Sequence, residues 1–367
     1  MQNKSREISF FIGGLGGGGA EKVCVTVANG LSELGWRVNL VVLDATHSKY
    51  HTLVDKSVNL VYLNVRARYS FFKLYRYIKR NPIGLAFSFS HELTVLLVSI
   101  RYLTPFHFKI VSRNINNLKF KRENESSIWT KYIVFSLVKM LYGQSDFIIN
   151  QCKAMEDGLL EWIPRLKGRT GFIYNPVNID SLNNHKPIVI EDDYILCVGR
   201  LEKQKAFHKA IEAFSLVVNA YPNLKLYIIG DGSLRDELQN LANKLGLKES
   251  VIFISFTSDI GAYYKQARFI LLTSLYEGFP NVLVESISVG TPVISVDCES
   301  GPKEIIVEGV NGLLVDIPSG ESIKNLMSKM LELKLSPHLV KNTSIAFERK
   351  NIINKYNQIF CGYIRKL

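Results

Sequence analysis

Cysteine is scarce in this sequence and does not form a metal-binding pattern. The 367 residues contain five cysteines, an odd number, and none of their spacings suits zinc. Four of the five lie in or beside apolar runs, which predicts buried free thiols in a reducing cytosol. The cysteines are Cys24, Cys152, Cys197, Cys298 and Cys361.

Long hydrophobic runs are also missing. The longest apolar region, residues 83–100, carries His91 and Glu92 in its middle, so we expect no membrane-spanning helix. The N-terminal residues form a polar stretch that leads directly into a strand pattern, so we expect no signal peptide. Peripheral attachment to a membrane from the cytosol is the most that these features predict.

Positive charge is concentrated in the first half of the chain. Of a net charge of +12, residues 1–180 hold 24 Lys/Arg against 13 Asp/Glu, whereas the remainder holds 21 against 20. Cations alternate with Tyr and Phe in Arg66–Arg80, and Lys119–Arg122 and Trp129–Tyr142 continue the pattern. This mixture predicts an anionic membrane surface as a partner, and not nucleic acid. A basic amphipathic helix packed on a core is the alternative interpretation.

The order of the elements along the chain predicts α/β domains. A hydrophobic content of 47% with 21% charged residues is typical of an ordered globular protein. Glu7–Ile12 has the pattern of a buried strand, Gly13–Gly19 of a turn, and Ala20–Leu34 of a helix that leads to the strand Val38–Leu43. The same order begins again at Tyr194–Gly199. Each half therefore predicts a doubly wound parallel sheet.

The length of the chain favours two domains with a linker between them. A chain of 367 residues exceeds what one hydrophobic core usually serves. Residues 176–187 are rich in Asn and Pro and lack a hydrophobic period, which is typical of a linker. We therefore predict an N-terminal domain over residues 1–175 and a C-terminal domain over residues 188–344.

Two glutamates, Glu277 and Glu285, are the most informative residues of the second domain. They follow a strand-like run; the chain then turns through Gly278 and Pro280, and a helical pattern begins at Asn281. The N–H groups of this helix start can bind a phosphate. One carboxylate on each side suits a nucleotide sugar, with Glu277 toward the sugar hydroxyls and Glu285 toward the ribose. Two solvated glutamates beside a tight turn are the alternative.

This spacing resembles the E-x7-E element of retaining glycosyltransferases of the GT-B fold, family 4 (glycosyltransferase group 1). The resemblance implies two Rossmann-like domains that face each other across a cleft, with the last helix, about residues 345–367, packing back on the first domain. It also implies that the nucleotide sugar contacts the segment between the glutamates. That segment is Gly278, Phe279, Pro280, Asn281, Val282 and Leu283.

A second part of the sequence is similar to the family's G-R-L-x3-K motif. Gly199–Leu201 is followed by Lys205, although Ala206 stands where the family usually has glycine. The resemblance implies that Arg200 and Lys205 neutralise the departing diphosphate, Arg200 as a forked donor and Lys205 as a point charge. Together with Glu277 they form the candidate catalytic set.

The nucleotide is expected beside a glycine turn. Gly230 and Asp231, followed by Gly232, resemble the family's G-x-G turn, and residues 254–256 stand where backbone groups of the family hold the base. These side chains do not tell uracil from guanine; we expect a UDP-sugar over a GDP-sugar. The sequence has no Asp-x-Asp triplet for a metal–diphosphate clamp. We therefore expect no cofactor and no metal, with cations and the Asn281 helix start in the role of a Lewis acid.

The glycine run of the first domain has two interpretations. A dinucleotide site requires an acidic residue about twenty positions after the glycines. The candidate in this sequence, Asp44, comes somewhat late. Gly17, Gly18 and Gly19, with Glu21 after them, match the family's Gly-Gly-Ala-Glu element, which faces the donor diphosphate and the acceptor. A purely structural tight turn is the alternative.

Members of the family often carry a histidine of the first domain near the donor sugar. Two positions in this sequence are candidates for that role. The corresponding stretch, residues 111–116, has no histidine, so Arg113 and Asn114 become candidates on the acceptor side. His91, after the strand-like residues 85–89, is the candidate catalytic histidine. A core or surface histidine is the other interpretation of His91.

These motifs, in the family's order, predict a retaining glycosyltransferase. It would move a hexose or N-acetylhexosamine from a nucleotide diphosphate sugar to a polyprenyl-diphosphate-linked saccharide, in assembly of bacterial O-antigen, capsule or another surface glycan. We expect a cytoplasmic protein, peripheral on the cytoplasmic face of the inner membrane. A sugar-nucleotide 2-epimerase would need further carboxylates and histidines around the sugar, which the sequence lacks. An NAD-dependent dehydrogenase would need a clean dinucleotide-binding glycine motif and a catalytic histidine, and their absence argues against that class. A non-catalytic membrane-associated binding module would leave the phosphate and glutamate set unexplained.

Overall fold

The structure is a computed structural model that describes residues 6–46, 48–115, 118, 132, 135–183, 188 and 190–365. The chain divides into two compact units. Unit 1 consists of residues 1–176 and 349–367, and unit 2 of residues 177–348. The stretch 176–187, which the sequence indicates as a linker, contains a short helix of unit 2, Ile179–Asn183.

Unit 1 is built on a seven-stranded parallel sheet in the order β3-β2-β1-β4-β5-β6-β7. The chain extends the sheet first to one side of β1 and then to the other, which is the doubly wound arrangement. The strands are β1 (Glu7–Ile12), β2 (Arg37–Val42), β3 (Asn59–Tyr62), β4 (Leu85–Ser88), β5 (Lys109–Arg113), β6 (Phe147–Asn150) and β7 (Thr170–Phe172).

Helices connect these strands and cover the sheet. Those of the first part of the chain are α1 (Gly19–Glu33), α2 (Phe71–Arg80), α3 (His91–Leu103), α4 (Phe135–Tyr142) and α5 (Lys153–Trp162). Separate clusters of buried apolar side chains lie under α1 and under α2 and α3, so helices pack on both faces of the sheet. Buried on both faces, the central strands are mainly apolar.

The C-terminal helix also belongs to unit 1. Phe360 packs edge-on against Phe87 and Trp36, with ring centroids 5.0 and 6.0 Å apart. Ile353 fills the space beside Gly30 of α1, where a Cβ atom would approach it to 2.6 Å. This last helix, Arg349–Ile364, therefore completes the core laid down by the first strands.

Unit 2 repeats the plan with a six-stranded parallel sheet in the order β10-β9-β8-β11-β12-β13. The order reverses at β8, so the carboxyl ends of β8 and β11 lie side by side at the switch point, where doubly wound sheets bind ligands. The strands are β8 (Asp193–Val198), β9 (Leu224–Ile229), β10 (Val251–Ile254), β11 (Phe269–Leu272), β12 (Val293–Val296) and β13 (Gly312–Val315).

The helices of unit 2 alternate with these strands. In chain order they are α6 (Ile179–Asn183), α7 (Phe207–Ser215), α8 (Arg235–Lys244), α9 (Ile260–Gln266), α10 (Asn281–Ser288), α11 (Pro302–Ile305), α12 (Gly320–Glu332) and α13 (Pro337–Asn342). The C-terminal helix of unit 1 is then α14. None of the helices in the described ranges is long and apolar enough to cross a membrane. All five cysteines are free thiols.

Candidate functional site

A largely buried ion pair stands at the switch point of the second sheet. Lys205 Nζ lies 2.6 Å from Glu277 Oε1, and the two side chains are 15% and 8% exposed. Lys205 comes from the loop after β8 and Glu277 from the loop after β11, and these strands are neighbours. Because little water surrounds the pair, its charges interact more strongly than those of a surface pair.

Two serines that the sequence did not single out fix Glu277. Ser274 Oγ donates a hydrogen bond to Glu277 Oε1 at 2.6 Å, and Ser300 Oγ donates to the Glu277 carbonyl oxygen at the same distance. Cys298 lies close by: burial, with a contribution from the Glu277 charge, raises the pKa of this thiol to about 12. The thiol is therefore protonated near neutral pH.

The segment after Glu277 forms the predicted turn and helix start. Helix α10 begins at Asn281, after Pro280, whose side chain cannot cap it. Gly301, at φ +98°, supports this turn from behind, because a Cβ there would lie 2.6 Å from Pro280 Cδ. Of the candidate donor-binding residues, Phe279, Pro280 and Leu283 are buried, and Gly278, Asn281 and Val282 are partly exposed.

Glu285 lies just over one turn inside α10 and is held by a tyrosine of the preceding helix. Tyr264 Oη donates to Glu285 Oε2 at 2.9 Å. Burial, followed by the Glu285 charge, raises the pKa of Tyr264 well above its usual value, so the hydroxyl keeps its proton and remains a donor. Sequence analysis did not identify Tyr264, because no local spacing marks it as a partner of Glu285.

Glycine is required where the turns after β8 and β9 meet. Gly199 and Gly230 have φ +155° and +147°. A Cβ on Gly230 would lie 2.0 Å from the Gly199 carbonyl oxygen, and one on Gly232 would lie 2.4 Å from the Leu201 carbonyl oxygen. The two turns therefore pack backbone against backbone. Arg200 and Asp231 are both exposed in these turns.

Ala206 stands where the family's G-R-L-x3-K motif is usually followed by glycine, and its backbone conformation is one that glycine adopts easily. It precedes α7 and adopts φ 48°, ψ 42°, a left-handed conformation that favours glycine. Thr273 Oγ1 donates to the Lys205 and Ala206 carbonyl oxygens at 2.9 and 3.1 Å. This threonine, also missed by sequence analysis, fixes the strained loop that carries Lys205.

In unit 1, the glycine run leads into the first turn of α1. The Gly17 carbonyl oxygen accepts a hydrogen bond from Tyr50 Oη at 3.0 Å, and Gly17 has φ +112°. Helix α1 begins at Gly19. The Glu21 side chain folds back over Gly18, since a Cβ on Gly18 would lie 2.3 Å from Glu21 Oε2. These residues form one group at the carboxyl end of β1.

His91 is the first residue of α3, after β4, and is buried. Its Nε2 atom lies 3.0 Å from Glu92 Oε1, and its ring is edge-on to that of Tyr142. Strand β4 is a neighbour of β1 in the sheet. The catalytic role of His91 stays a prediction.

Arg113 and Asn114 lie in the interior of unit 1. The Arg113 side chain, 1% exposed, donates to Tyr356 Oη of α14, to Asn175 Oδ1 at 2.5 Å and to the Ile173 carbonyl oxygen at 3.2 Å. Burial lowers the pKa of Arg113. The Asn114 amide donates to Asn150 Oδ1 at 2.9 Å. Both side chains connect buried elements, and their contact with an acceptor stays a prediction.

Unit 2 thus brings together Lys205, Glu277, the α10 start and Glu285 in a site suited to a phosphate ester with neighbouring hydroxyls. Within the described ranges, no group of three His, Cys, Asp or Glu side chains is arranged to hold a metal ion. An α/β unit with a doubly wound sheet and charged side chains at its switch point is the class that this fold and site define.

Comparisons with known proteins identify the family of the second half of the chain. Residues 178–346 match the family model described as glycosyl transferases group 1. An uncharacterized glycosyltransferase of Methanocaldococcus jannaschii is 30% identical over 65% of this chain and 62% of its own length. The N-acetylgalactosamine-N,N'-diacetylbacillosaminyl-diphospho-undecaprenol 4-alpha-N-acetylgalactosaminyltransferase of Campylobacter jejuni is 26% identical over 95% of this chain and 97% of its own.

A solved structure shows the fold over the whole chain. Anabaena HepE in complex with UDP matches with a TM-score of 0.80 at 18% identity, covering 97% of this chain and 100% of its own. Residues 178–346 are therefore a group 1 glycosyltransferase domain, and the chain has the GT-B fold. The predicted family is confirmed for residues 178–346, and the predicted fold is confirmed for the chain.

Proposed function

We propose that the protein is a retaining glycosyltransferase that transfers a hexose or N-acetylhexosamine from a nucleotide diphosphate sugar to a polyprenyl-diphosphate-linked saccharide. The buried Lys205–Glu277 pair at the switch point of the second sheet is the observation that carries the proposal. It supplies one cation for a diphosphate and one carboxylate for sugar hydroxyls in a single place.

The donor is assigned to unit 2 because its groups match the parts of a nucleotide sugar. The N–H groups at the start of α10 and the exposed Arg200 suit the diphosphate. Glu285, oriented by Tyr264, suits the ribose hydroxyls. A UDP-sugar is our choice of donor, since HepE is described as a complex with UDP.

Retention requires that the acceptor hydroxyl attacks from the face that the diphosphate leaves. The bond between the anomeric carbon and the phosphate oxygen breaks, and its electron pair stays with the diphosphate. The acceptor oxygen then bonds to the anomeric carbon, and its proton passes to the departing phosphate oxygen. Lys205 and Arg200 stabilise the charge on that group, and Glu277 orients the sugar. The step as written uses no metal.

The lipid-linked acceptor is proposed from a relative and from the surface of α2. The Campylobacter relative is named for a diphospho-undecaprenol acceptor. Helix α2 buries Leu74 and Ile78, and leaves Phe72 71% exposed. Its exposed cations are Lys73, Arg76, Lys79 and Arg80. Lys119–Arg122, which continue the basic aromatic pattern, lie outside the described residues, as do residues 129–131, 133 and 134 of the stretch Trp129–Tyr142.

The α2 surface combines a protruding aromatic ring with four cations and carries no acidic residue. Such a face suits an anionic membrane, at about 1 kcal/mol per cation near the surface. We therefore propose that the protein works as a peripheral protein on the cytoplasmic face of the inner membrane, in assembly of a bacterial surface glycan.

The proposal is tested with a UDP-sugar carrying a labelled sugar and a membrane extract that contains lipid-linked saccharides. Label should move to the lipid fraction with its anomeric configuration retained, and transfer should continue in EDTA. Label that stays on the nucleotide as a changed sugar would indicate an epimerase. Transfer abolished by EDTA and restored by manganese or magnesium would contradict metal independence.

A further inference from the structure

Strained backbone lies on both sides of the loop that carries Glu277. Within the described ranges, three residues other than glycine have a positive φ: Asn64, Ala206 and Ser300. Ala206 lies in the loop after β8, and Ser300, at φ +71°, lies in the loop after β12. Strands β8 and β12 are the two neighbours of β11, so both loops border the one with Glu277. Strain of this kind is concentrated at functional sites.

The loop after β12 lies against the residues that lead into Glu277. Tyr276 and Glu299 form a parallel backbone bridge. One residue further along each segment, Ser300 Oγ donates its hydrogen bond to the Glu277 carbonyl oxygen at 2.6 Å. Ser300 is 7% exposed, so water has little access to this contact.

The loop after β8 holds the same segment from the other side. The Gln204 carbonyl oxygen accepts a hydrogen bond from the Leu275 N–H at 2.8 Å, and Gln204 Nε2 donates to the Tyr276 carbonyl oxygen at 2.9 Å. Lys205 then meets the Glu277 carboxylate. The loop after β8 therefore fixes residues 275–276 and the carboxylate, while the loop after β12 fixes the Glu277 carbonyl group.

Serine is an unfavourable residue at φ +71°, because its Cβ adds a steric cost that glycine avoids. Glycine, however, has no hydroxyl to place beside the Glu277 carbonyl oxygen. Position 300 thus combines a conformation that favours glycine with a contact that requires a side-chain donor. Stability and site geometry make opposite demands on this residue.

We propose that Ser300 is a positioning residue for sugar transfer, whose hydroxyl fixes the Glu277 backbone so that the carboxylate is directed at the donor sugar. The inference rests on the proposed function, in which Glu277 orients the sugar, and adds the residue through which the loop after β12 controls that orientation. The chain retains the strain at Ser300 because relieving it with glycine would remove the hydroxyl.

Three substitutions separate the hydroxyl from the strain. Ser300→Gly removes both, Ser300→Ala removes only the hydroxyl, and Ser300→Thr keeps the hydroxyl while its branched Cβ increases the strain. In transfer assays, Ser300→Gly and Ser300→Ala should lower kcat about 10- to 100-fold, since a shift of a positioned group by about 1 Å can cost the upper figure. Ser300→Thr should keep a kcat close to that of the parent. Tm should instead be higher for Ser300→Gly than for Ser300→Ala, and lowest for Ser300→Thr.

Calorimetric titration gives a second measurement that does not depend on turnover. Free UDP lacks the sugar that Glu277 orients, so its Kd should be the same in Ser300→Gly and in the parent. The Kd of the UDP-sugar should rise in Ser300→Gly. When Ser300→Gly is added to Glu277→Ala, kcat should change little further, because Ser300 acts through Glu277.

Two control variants change similar features away from the site. Ser344→Ala removes another buried serine hydroxyl that donates to a backbone carbonyl oxygen, that of Lys341, at 2.7 Å. Asn64→Gly replaces another residue of positive φ, in unit 1. Both variants should keep the kcat of the parent.

The outcomes separate this inference from the function on which it rests. A parent protein that neither binds nor transfers a nucleotide sugar would contradict the proposed function. A parent that transfers sugar while Ser300→Gly and Ser300→Ala keep its kcat would overturn the positioning role alone. A kcat that falls in step with Tm across the substitutions, or that falls equally in Ser344→Ala, would also overturn it. If Ser300→Thr does not fold, equal kcat values in Ser300→Gly and Ser300→Ala despite different Tm values still support the role.

Discussion

At the scale of single residues, the site depends on charged side chains that neutral neighbours hold in place. Ser274 donates to the Glu277 carboxylate and Tyr264 to that of Glu285. Neither donor changes charge near neutral pH, so each fixes a carboxylate without cancelling its charge. The two glutamates are therefore oriented acceptors for hydroxyl groups.

Glu285→Ala should weaken binding of a nucleotide sugar by about 1–3 kcal/mol, because a ribose hydroxyl pair loses its charged acceptor. Tyr264→Phe should produce a smaller loss in the same direction, since the carboxylate remains but its orienting donor is gone. Calorimetric titration with UDP measures both effects. Unchanged affinity in Glu285→Ala would remove this residue from the site.

Glu277→Ala should reduce turnover strongly while leaving the affinity for free UDP equal to that of the parent or tighter. The variant removes the group that orients the sugar and at the same time releases Lys205 for the diphosphate. Transfer assays and titration with UDP give the two quantities. Normal turnover would contradict the positioning role, and UDP binding lost together with turnover would indicate a collapsed site.

At the scale of elements, two helices depend on single residues at unusual positions. Helix α7 follows Ala206 in the left-handed region. Helix α14 is joined to β5 by the hydrogen bond between Tyr356 and the buried Arg113. Each contact can be tested by its effect on the free energy of unfolding.

Ala206→Gly should stabilise the protein by about 1 kcal/mol, because glycine adopts the left-handed conformation without the steric cost that a Cβ adds. Urea denaturation measures the change. The control is Ala213→Gly in the interior of the same helix, which should destabilise, since glycine is unfavourable there. A loss of stability in both variants would mean that Ala206 is not strained.

Tyr356→Phe should destabilise the protein by about 1–3 kcal/mol, because it leaves a buried guanidinium N–H without its acceptor. Tyr363→Phe on the same helix is the control: its hydroxyl donates to the Asp146 carbonyl oxygen at 3.1 Å and is only partly buried. Urea denaturation of both variants should show the larger loss for Tyr356. Equal losses would contradict a special role for the Arg113 contact.

At the scale of the whole molecule, charge is divided unevenly between the two units. Nearly all of the excess positive charge lies in residues 1–180, which make up most of unit 1, while the half that carries the proposed donor site is nearly neutral. An anionic membrane would therefore attract unit 1.

Replacing Arg76, Lys79 and Arg80 by Gln should release the protein from anionic vesicles and lower transfer to a long-chain lipid acceptor. High salt should have the same effect, because exposed charges are screened beyond about 8 Å at physiological ionic strength. Transfer to a short water-soluble acceptor should change little. Co-sedimentation with vesicles at low and high salt measures the binding.

The matched control neutralises three exposed lysines of unit 2, Lys244, Lys248 and Lys341, with the same change in net charge. This variant should still pellet with the vesicles. If the α2 variant pellets as the parent does, α2 is only a packed helix face and the acceptor is reached in another way. Equal release of both variants would indicate a response to net charge alone.

The sequence predicted those features that depend on neighbours along the chain. The strand, glycine turn and helix order of each half, the start of α10 at Asn281 and the position of Glu285 inside it all follow from local hydrophobic periodicity and turn residues. The start of α7 at Phe207 depends on backbone conformation, because Lys203–Lys205 forms a 3₁₀ turn and Ala206 is left-handed.

Only the tertiary structure decided which side chains meet. Lys205 and Glu277 are 72 positions apart and Arg113 and Tyr356 are 243 apart, and each pair meets because sheet order and the returning last helix bring the two segments together. A periodic pattern tells which face of an element is buried, but carries no information about which distant polar group will satisfy a buried one. For this reason the sequence by itself indicated Glu277 and Glu285, while Ser274, Tyr264 and the interior position of Arg113 emerged only from the folded chain.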